Sequence, residues 1–369
     1  MSVSLAPALA VGAFAVSLIA TRALIFLLTR LAVMDNPNHR SSHSIPTPRG
    51  GGWAIIGTVL LFWIGWLVWH DQISLATVAV PLIALALAFL SFLDDLKPLS
   101  AKVRLSAHAA AAILGLAALG GEGALSSFVP FWLDWPITIL GWVWFINLFN
   151  FMDGIDGISG VETASISAGF ILFGLMNSFG VDISVPALLI FSATLGFLVW
   201  NWHPARIFLG DVGSVPLGFL LGSMLVDLAS SDIGDGHFLV AALLLPLYYL
   251  VDATCTLVQR WRRGARLTEA HREHFYQRAV QGGLSHAQVS TRILVCNVAL
   301  IALAVWAVPI SPPAALLAGS VVVWLTIRSM RPARLDLRTS VGEAMEMLDV
   351  PSSADNGEAG SKPGSGDAS

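Results

Sequence analysis

Carboxylates occur in three short polar strings of this chain, and two of the strings also contain glycines. The acids are Asp94 and Asp95 in FLDDLKPLS, Asp153 and Asp156 in NFMDGIDGISG, and Asp211 in FLGDVGS. Five carboxylates held close together would repel one another and raise some of their pKa values. A divalent cation would relieve that repulsion, and Mg²⁺ prefers hard oxygen ligands such as carboxylates and substrate phosphates. The pattern predicts an Mg²⁺ site, with Mn²⁺ as the alternative, whereas no Cys/His cluster has zinc spacing.

Basic side chains crowd one later segment, QRWRRGARLTEAHREHFYQR at 259–278. It contains His271, His274 and six arginines, and an arginine can bind two phosphate oxygens at once. The glycines beside the acids would let backbone N–H groups approach an anion closely. Acids that hold a cation, together with Arg and His that hold oxyanions, are the composition that a pyrophosphate site needs.

Each of these features alone also has a simpler explanation. Asp94 and Asp95 fit a solvated helix end, and DGIDG fits a turn or a calcium loop. Arg262 and Arg263 fit an anchor for lipid headgroups, and Asp252, inside an apolar stretch, fits a structural group that is bonded to a neighbour. The joint occurrence of all of them favours a functional site.

The elements that position these residues are predicted by composition and by the lengths of the apolar runs. The 369 residues are 56% hydrophobic and 12% charged, about half the usual charged fraction, and their mean hydropathy is +0.74. Only two cysteines are present, which excludes a disulfide scaffold. Stretches of about 17–25 apolar residues are typical of membrane spans. The predicted class is therefore an all-α polytopic membrane protein with about eleven transmembrane helices, at 5–30, 53–70, 75–93, 105–121, 132–150, 160–178, 185–201, 213–229, 237–257, 291–309 and 312–328.

The distribution of Lys and Arg predicts the orientation of these spans. Nearly all of them lie in the connections 31–52, 94–104, 202–212 and 258–290 or after 328, and the alternate connections hold none. By the positive-inside rule, the amino terminus is outside and the carboxyl terminus is cytoplasmic. Residues 1–330 are predicted to form a catalytic membrane domain with five polar cytoplasmic loops, and 331–369 a cytoplasmic tail that is disordered from about 339.

Five strings in order along the chain resemble a known family. They are HSIPTPRGGG, FLDDLKPLS, NLFNFMDGIDGISG, FLGDVGS, and PLYYLVDATCTLVQRWRRG through HREHFYQR. They resemble the polyprenyl-phosphate N-acetylhexosamine-1-phosphate transferases of glycosyltransferase family 4, which include the phospho-MurNAc-pentapeptide translocases. The resemblance covers about residues 35–280. The translocases carry three consecutive histidines where this chain has HREH, and that difference resembles the branch that initiates O-antigen and other surface glycans.

The resemblance implies a role for each matched residue. It implies Asp211 and Asn150 as metal ligands. It implies a catalytic set drawn from the paired acids near the lipid phosphate, the acids near the nucleotide and the diphosphate-holding segment: Asp94, Asp95, Asp153, Asp156, His271, Arg272 and His274. The candidate substrate-binding residues are Asn147, Gly210, Lys102, Arg104 and Arg49.

The resemblance also implies a reaction and a place in the cell. A UDP-N-acetylhexosamine and undecaprenyl phosphate would give polyprenyl-diphospho-sugar and UMP with Mg²⁺, as the first membrane step of an O-antigen-like surface polysaccharide. The enzyme would be a multi-pass protein of the bacterial inner membrane, with its site on the cytoplasmic face and no nucleic-acid partner. GlcNAc, FucNAc, QuiNAc and GalNAc stay open as the sugar, and a homodimer stays open as the assembly.

Physical chemistry narrows the mechanism and the alternatives. A phosphate monoester with a second pKa of about 6 is mostly dianionic at neutral pH, so a general base has little to remove. We therefore expect Asp94 and Asp95 to position ligands, and we expect a groove for the polyprenyl tail near the DDLKPLS helix end. The main alternative is a membrane transporter with a cytoplasmic-side binding site. A CDP-alcohol phosphotransferase would need different acid spacing, and eleven spans exclude a soluble-type polyprenyl synthase.

Overall fold

The computed structural model describes residues 5–37, 45–176, 184–266 and 271–331. These residues form thirteen α-helices and one two-stranded antiparallel ribbon, which confirms the predicted all-α class. The elements are α1 (Ala6–Arg30), β1 (Met34–Asp35), β2 (Thr47–Pro48), α2 (Gly52–Trp69), α3 (Leu75–Leu96), α4 (Ala101–Ala118), α5 (Phe131–Phe151), α6 (Ile158–Leu175), α7 (Val185–Asn201), α8 (Asp211–Ser230), α9 (His237–Leu244), α10 (Leu247–Arg262), α11 (Phe275–Gln281), α12 (His286–Ala302) and α13 (Pro312–Ser329). The predicted disordered tail lies outside the described residues.

The lengths and composition of these helices suit a membrane protein. Within the described ranges, eight helices are long and apolar enough to span a membrane, and one bent pair would make nine. Each of the eleven predicted stretches contains a helix, although α7 has only 17 residues and α5 is not among the eight. The count of eleven spans and their orientation therefore stay predictions.

The stretch predicted as one span at 237–257 is not a single straight helix, because the structure breaks it into two helices. α9 ends at Leu244 and α10 begins at Leu247, with a bend of 71° between their axes. Pro246 lies at the break, and proline has no N–H to donate and clashes with the preceding helical turn. The first half of α10, at Asp252, contacts the short helix α11, which carries part of the basic segment.

α8 is the most buried helix of the bundle and packs against α2, α3, α5 and α9. It meets α2 where two backbones nearly touch: a Cβ atom on Gly52 would collide with the Cα atom of Gly213. Small residues at helix contacts allow this close approach within membranes. Because α8 begins at Asp211, its packing fixes that carboxylate at one end of the bundle.

Polar connections gather at both ends of the bundle, but with different content. At the end that carries Asp211, the connections after α1, α3, α5, α7 and α10 converge, as predicted. At the opposite end, the acids serve turns. Asp134 accepts backbone hydrogen bonds from Gly123 and Leu125 at 2.8 and 2.9 Å, and Asp232 accepts them from the turn that precedes α9.

A buried acid that the sequence analysis overlooked lies inside α6. Asp252 drew notice as an acid inside an apolar stretch, and Glu162 is likewise fully buried. Its Oε2 atom accepts a hydrogen bond of 2.7 Å from Nδ2 of Asn297 on α12. Within the described structure, Glu162 Oε1 and Asn297 Oδ1 are both buried without a hydrogen-bond partner. These two oxygens are both acceptors, so they cannot bond to each other. Replacing one of them by a donor would let the two positions form a hydrogen bond.

We predict that Glu162→Gln preserves the fold and that Asn297→Leu does not. The Gln oxygen can accept the hydrogen bond from Nδ2 of Asn297, and the Gln NH₂ group can donate to Oδ1 of Asn297. The free energy of unfolding should therefore stay within about 1 kcal/mol of wild type. Leucine leaves a buried acid without its donor and should cost about 1–3 kcal/mol. Reversible unfolding in mild detergent measures both. A Glu162→Gln protein as unstable as Asn297→Leu would contradict the pairing.

Candidate active site

One arginine joins two of the three acidic strings. Nη2 of Arg49 lies 2.9 Å from Oδ1 of Asp95 and 2.7 Å from Oδ1 of Asp211. The backbone of Arg49 follows β2 and forms a β-bridge with Phe208, just before α8, which fixes its position. Burial would lower the pKa of this guanidinium, but the charges of Asp211 and Asp95 outweigh that effect and raise it. Arg49 is therefore a fixed positive charge between two carboxylates.

The adjacent acids Asp94 and Asp95 face different surroundings, which their sequence did not reveal. Asp95 accepts a hydrogen bond from the backbone N–H of Val212, one of the unpaired donors at the start of α8. Oδ1 of Asp94 accepts a hydrogen bond of 2.5 Å from the N–H of Leu99, in the turn after α3. Its Oδ2 lies 3.3 Å from Nη1 of Arg104. Asp95 thus belongs to the cluster around Asp211, and Asp94 shapes the turn that leads into α4.

Asn150, a predicted metal ligand, lies against the first turn of α8. Its Nδ2 donates to Oγ of Ser214 at 3.0 Å, and Ser214 donates to the carbonyl of Gly210 at 3.3 Å. This orientation leaves Oδ1 of Asn150 available to a ligand. Asn147, one turn earlier, donates to the carbonyl of Val143 at 2.7 Å and so bonds within its own helix.

Gly210 cannot be replaced without disturbing the cluster. Its φ angle is +73°, a conformation that favours glycine. A Cβ atom there would lie 3.2 Å from Cγ of Arg49 and 3.3 Å from Oδ2 of Asp95. The predicted contribution of Gly210 is therefore steric, because it lets these two side chains approach the start of α8.

Asp153 lies at the edge of the same cluster and carries an unusual pKa. Its removal from water raises the carboxyl pKa to about 7, and the charge of Asp211 acts in the same direction, against the pull of Arg49. The side chain is half-buried in the turn between α5 and α6. Near neutral pH this group is balanced between its charged and neutral forms.

Asp156 belongs to a separate cluster with two histidines. Its Oδ2 lies 2.6 Å from Nδ1 of His203, its Oδ1 lies 3.2 Å from Nδ1 of His286, and the N–H of Ala205 donates to Oδ2 at 3.1 Å. Burial alone would raise the pKa of Asp156, but the hydrogen bonds from His286 and His203 hold it below its ordinary value. The catalytic role of Asp156 therefore stays a prediction. In the structure its carboxylate joins α12 to the connections that follow α5 and α7.

The same three residues form the one close group of metal-ligating side chains in the described residues. Their ligand atoms all lie within 4.8 Å of one another, whereas Asp95, Asp153 and Asp211 do not form such a group. The distances between the Asp156 oxygens and the two imidazoles are those of hydrogen bonds. The sequence analysis missed this group because His286 lies 130 residues beyond Asp156, in no motif.

The basic segment is organised around one acid, Glu273. Arg260 and Arg263 donate to its two carboxylate oxygens, and Nη2 of Arg278 lies 3.7 Å from Oε2. The hydrogen bonds from Arg263 and Arg260 hold the pKa of Glu273 below its ordinary value. Three arginines expected to bind phosphate are thus engaged with a carboxylate in this state.

The predicted residues of the HREH string have different environments. His274 is buried, and its Nδ1 lies 3.2 Å from Oδ1 of Asp252. His271 stacks on it with the ring centres 4.9 Å apart. Burial and the charges of His274 and Arg260 lower the pKa of His271 to about 4, so this ring is neutral at pH 7. Arg272 is half-buried, and its carbonyl accepts from Gln281 at 2.8 Å.

Neutral His271 has a defined tautomer. Its Nδ1 accepts a hydrogen bond of 3.4 Å from the N–H of Glu273, which places the proton on Nε2. The ring can therefore donate one hydrogen bond to a phosphate oxygen, but it supplies no positive charge. Lys102 is exposed on the first turn of α4, and Arg104 is likewise exposed beside Asp94.

Asp252 holds the segment that carries these histidines. Its carboxylate accepts from the N–H groups of Phe275 and Tyr276 at 2.9 and 3.1 Å, which begin α11, and from the hydroxyl of Tyr248 at 3.1 Å. The Tyr276 hydroxyl then donates to the carbonyl of Phe151 at 3.1 Å. The structural explanation of Asp252 is therefore correct, and its function is to fasten the HREH segment to the DGIDG turn.

We predict that Asp252→Asn loosens α11 specifically. An amide nitrogen cannot accept the hydrogen bonds that the lost oxygen received, so the amides of Phe275 and Tyr276 should exchange about tenfold faster. Hydrogen exchange with mass spectrometry measures this. Asp235→Asn is the matched control, because Asp235 receives an N–H at the start of α9 but is exposed. Unchanged exchange in α11, or an equal effect of the control, would contradict the assignment.

The set of oxygen ligands at the start of α8 fits a hard cation. Asp211, Asp153 and the free Oδ1 of Asn150 are all hard donors from three connections, which is the type of ligand that Mg²⁺ takes. Arg49 now neutralises Asp95 and Asp211. The donor types therefore fit a divalent cation, while the charge that the carboxylates contact in this structure is the guanidinium of Arg49.

The chain is similar in sequence to known proteins. Residues 77–229 match the model of glycosyl transferase family 4. The chain is 29% identical over 300 residues to a probable undecaprenyl-phosphate N-acetylglucosaminyl 1-phosphate transferase of Bacillus subtilis, covering 75% of this chain and 78% of that protein. It is 29% identical over 306 residues to a decaprenyl-phosphate N-acetylglucosaminephosphotransferase of Mycobacterium tuberculosis, covering 73% and 74%.

A third relative extends the similarity to the peptidoglycan branch. The chain is 27% identical over 231 residues to a phospho-N-acetylmuramoyl-pentapeptide-transferase of Lacticaseibacillus paracasei, covering 58% of this chain and 68% of that protein. The family match contains Asp94, Asp95, Asp153, Asp156 and Asp211. The chain therefore carries a glycosyl transferase family 4 domain and is homologous to polyprenyl-phosphate sugar-1-phosphate transferases.

Proposed function

We propose that this protein transfers an N-acetylhexosamine 1-phosphate from a UDP-sugar to polyprenyl phosphate, with Mg²⁺ as the cation. The observation that carries the proposal is the contact of Arg49 with both Asp95 and Asp211. It brings strings from three connections to one point at the end of a bundle of membrane-length helices. The named activities of the relatives support the same chemistry.

Asp211 and Asn150 are the proposed metal ligands, and Asp153 lies close enough to interact with Asp211. A bound Mg²⁺ would stabilise the negative charge that develops on the transferred phosphoryl group. Arg49 would then be released from part of its present pairing and could bind phosphate oxygens, for which a guanidinium is well shaped. Because three connections contribute to the site, each must be folded before substrates can bind.

The nucleophile needs little activation. An oxygen of the polyprenyl phosphate dianion forms a bond to the sugar-bearing phosphorus, the bond from that phosphorus to the UMP oxygen breaks, and UMP leaves with the electron pair. The phosphate is mostly dianionic at neutral pH, so no carboxylate has to remove a proton. The work of the protein is therefore to align the reacting groups and to stabilise their charge.

The environments of the two adjacent acids agree with positioning roles. Asp95 receives the Val212 N–H and lies 2.9 Å from Arg49, and Asp94 receives the Leu99 N–H. Each carboxylate is thus already engaged with a neighbouring group that it orients. We assign Asp95 to the orientation of Arg49 and Asp94 to the turn before α4.

The lipid substrate needs an apolar approach to this cluster. Phe89, Leu93 and Leu96 are more than half exposed on the last turns of α3, next to Asp95. They lie on one face of that helix by their spacing. This surface agrees with the predicted groove near the DDLKPLS helix end, along which the polyprenyl tail could reach the cluster from the bilayer.

The proposed location follows from the charge distribution. Arg49, Arg104 and the arginines around Glu273 all lie at the end of the bundle that carries Asp211. By the positive-inside rule this end faces the cytoplasm, where soluble nucleotide sugars are available. We propose an enzyme of the bacterial inner membrane that starts the lipid-linked synthesis of a surface polysaccharide such as O-antigen.

The transporter alternative has less support. Transporters place ion-coupled acids and broken helices near the middle of the membrane. The acid near the broken helix is Asp252, which has four hydrogen-bond contacts of 3.2 Å or less, three of them with the start of α11 and the residue before it. The other deep acid, Glu162, is paired with Asn297. Neither acid has the open surroundings that a translocated ion would need.

A transfer assay tests the proposal directly. Purified protein is incubated with undecaprenyl phosphate and each of several UDP-N-acetylhexosamines, and lipid-linked sugar and UMP are measured with and without EDTA. We expect equimolar products with at least one sugar, lost with EDTA and restored by Mg²⁺. No product with any sugar, or product that is unaffected by EDTA, would contradict the proposal.

We predict unequal effects for the two adjacent acids. Asp95→Asn should lower kcat by about 100-fold or more, because Arg49 and the start of α8 lose their shared carboxylate. Asp94→Asn should lower it by less than about tenfold, because its amide oxygen can still accept from Leu99, and the exposed pair with Arg104 contributes little. Steady-state UMP release measures both. A larger loss in Asp94→Asn than in Asp95→Asn would reverse the assignment.

A further inference from the structure

A second concentration of positive charge lies on the outside of the bundle, between α1 and α7. Arg22 is on α1, Arg206 follows α7, and both side chains are exposed. The guanidinium carbon lies 5.7 Å from the centre of the Trp200 ring for Arg22 and 5.5 Å for Arg206. Two cations therefore share one indole.

These arginines differ from those of the candidate active site in their partners. Arg49 contacts Asp95 and Asp211, and Arg104 contacts Asp94. Among the residues that the structure describes, the guanidinium groups of Arg22 and Arg206 contact the Trp200 ring and no carboxylate. Within residues 5–37, 45–176, 184–266 and 271–331, no carboxylate therefore neutralises their charge.

The two arginines stand beside an apolar groove. The groove has a volume of about 580 Å³ and is lined by Leu18, Ile19, Arg22, Ala23, Phe26 and Trp200. Nε1 of Trp200 donates to the carbonyl of Leu18 at 3.0 Å, so the indole is fixed to α1. The groove is thus a built surface with a rigid aromatic wall. Arg22 is part of its lining, and Arg206 lies over the same Trp200 indole.

The position of Arg22 along its helix suggests what the groove holds. Arg22 lies eight residues before Arg30, the last residue of α1, which is about 12 Å along a helix. Leu18 and Ile19 lie further toward the middle of the span. An arginine on a lipid-facing surface is costly, and a phosphate that meets it there would offset the cost.

A second groove provides a contrast. It has a volume of about 430 Å³ near the start of α1 and is lined by Leu5, Ala8, Leu9, Leu61, Phe62, Gly65, Trp66, Trp69 and His70. It contains aromatic and aliphatic residues but no arginine. Apolar surface alone therefore does not distinguish the groove at Trp200, whereas the uncompensated pair of cations does.

We propose that the groove between α1 and α7 is a binding site for an anionic phospholipid. Its headgroup contacts Arg22 and Arg206, and an acyl chain lies along Leu18 and Ile19. The N–H of Arg206 donates to the carbonyl of Trp200 at 2.8 Å, and the connection from Arg206 leads directly into Asp211. The bound lipid therefore restrains the connection that positions the start of α8.

Native mass spectrometry of the full-length protein tests the site. The protein is reconstituted in phosphatidylcholine bilayers with increasing phosphatidylglycerol, and the retained lipids are counted. Wild type should retain one phosphatidylglycerol preferentially. Arg22→Gln and Arg206→Gln should each weaken this binding about fivefold, and the double variant about thirtyfold. The double variant Arg22→Lys with Arg206→Lys, which keeps the charge, should bind within about twofold of wild type.

Arg328→Gln is the matched control, because Arg328 also lies over an indole, 5.4 Å from the centre of Trp324 on α13. It should leave binding unchanged. Equal retention by wild type and the double Gln variant, or an equal loss in the control or in the Lys variant, would overturn the proposal. Phosphatidylcholine retained as strongly as phosphatidylglycerol would also overturn it. Displacement by equimolar undecaprenyl phosphate would assign the groove to the lipid substrate instead.

Discussion

The carboxylate of Asp95 is the contact on which the candidate site depends. It accepts the Val212 N–H at the start of α8 and pairs with Arg49, which also pairs with Asp211. These contacts join α3, α8 and the connection before α2. Without Arg49, two carboxylates would face each other at the end of a buried helix, where charge is poorly solvated. The geometry therefore requires a cation, and a guanidinium supplies it here.

Much of the fold was predictable because a bilayer restricts backbone structure. Long apolar runs can form only helices or closed barrels, so each of the eleven predicted stretches contains a helix. The bend at Pro246 was not predicted, since residues 237–257 read as one uninterrupted apolar run. Glu162 was overlooked because its bonding partner is distant in the sequence. Its partner Asn297 lies 135 residues away, and a single acid within an apolar helix does not show what it is bonded to.

The site was predictable in its membership but not in its internal contacts. The motifs indicated which connections meet, and Arg49, Asp95 and Asp211 do meet. Adjacent residues point in different directions along a helix, so Asp94 and Asp95 could not be assigned separately from their order alone. The partners of Asp156 come from other segments of the chain. Glu273 pairs with arginines that we expected to bind phosphate. Each miss concerns a contact made by tertiary packing, which short strings do not encode.

We propose that the Mg²⁺ beside Asp211 would contact both the UDP-sugar and the polyprenyl phosphate. Mn²⁺ can replace Mg²⁺ as a probe, because its unpaired electrons couple to phosphorus nuclei nearby. Pulsed electron–nuclear double resonance of bound Mn²⁺ would be recorded with the UDP-sugar, with polyprenyl phosphate and with both. We expect ³¹P couplings from each substrate and loss of the bound Mn²⁺ in Asp211→Asn. Coupling to only one substrate, or an unchanged Mn²⁺ site in that variant, would contradict it.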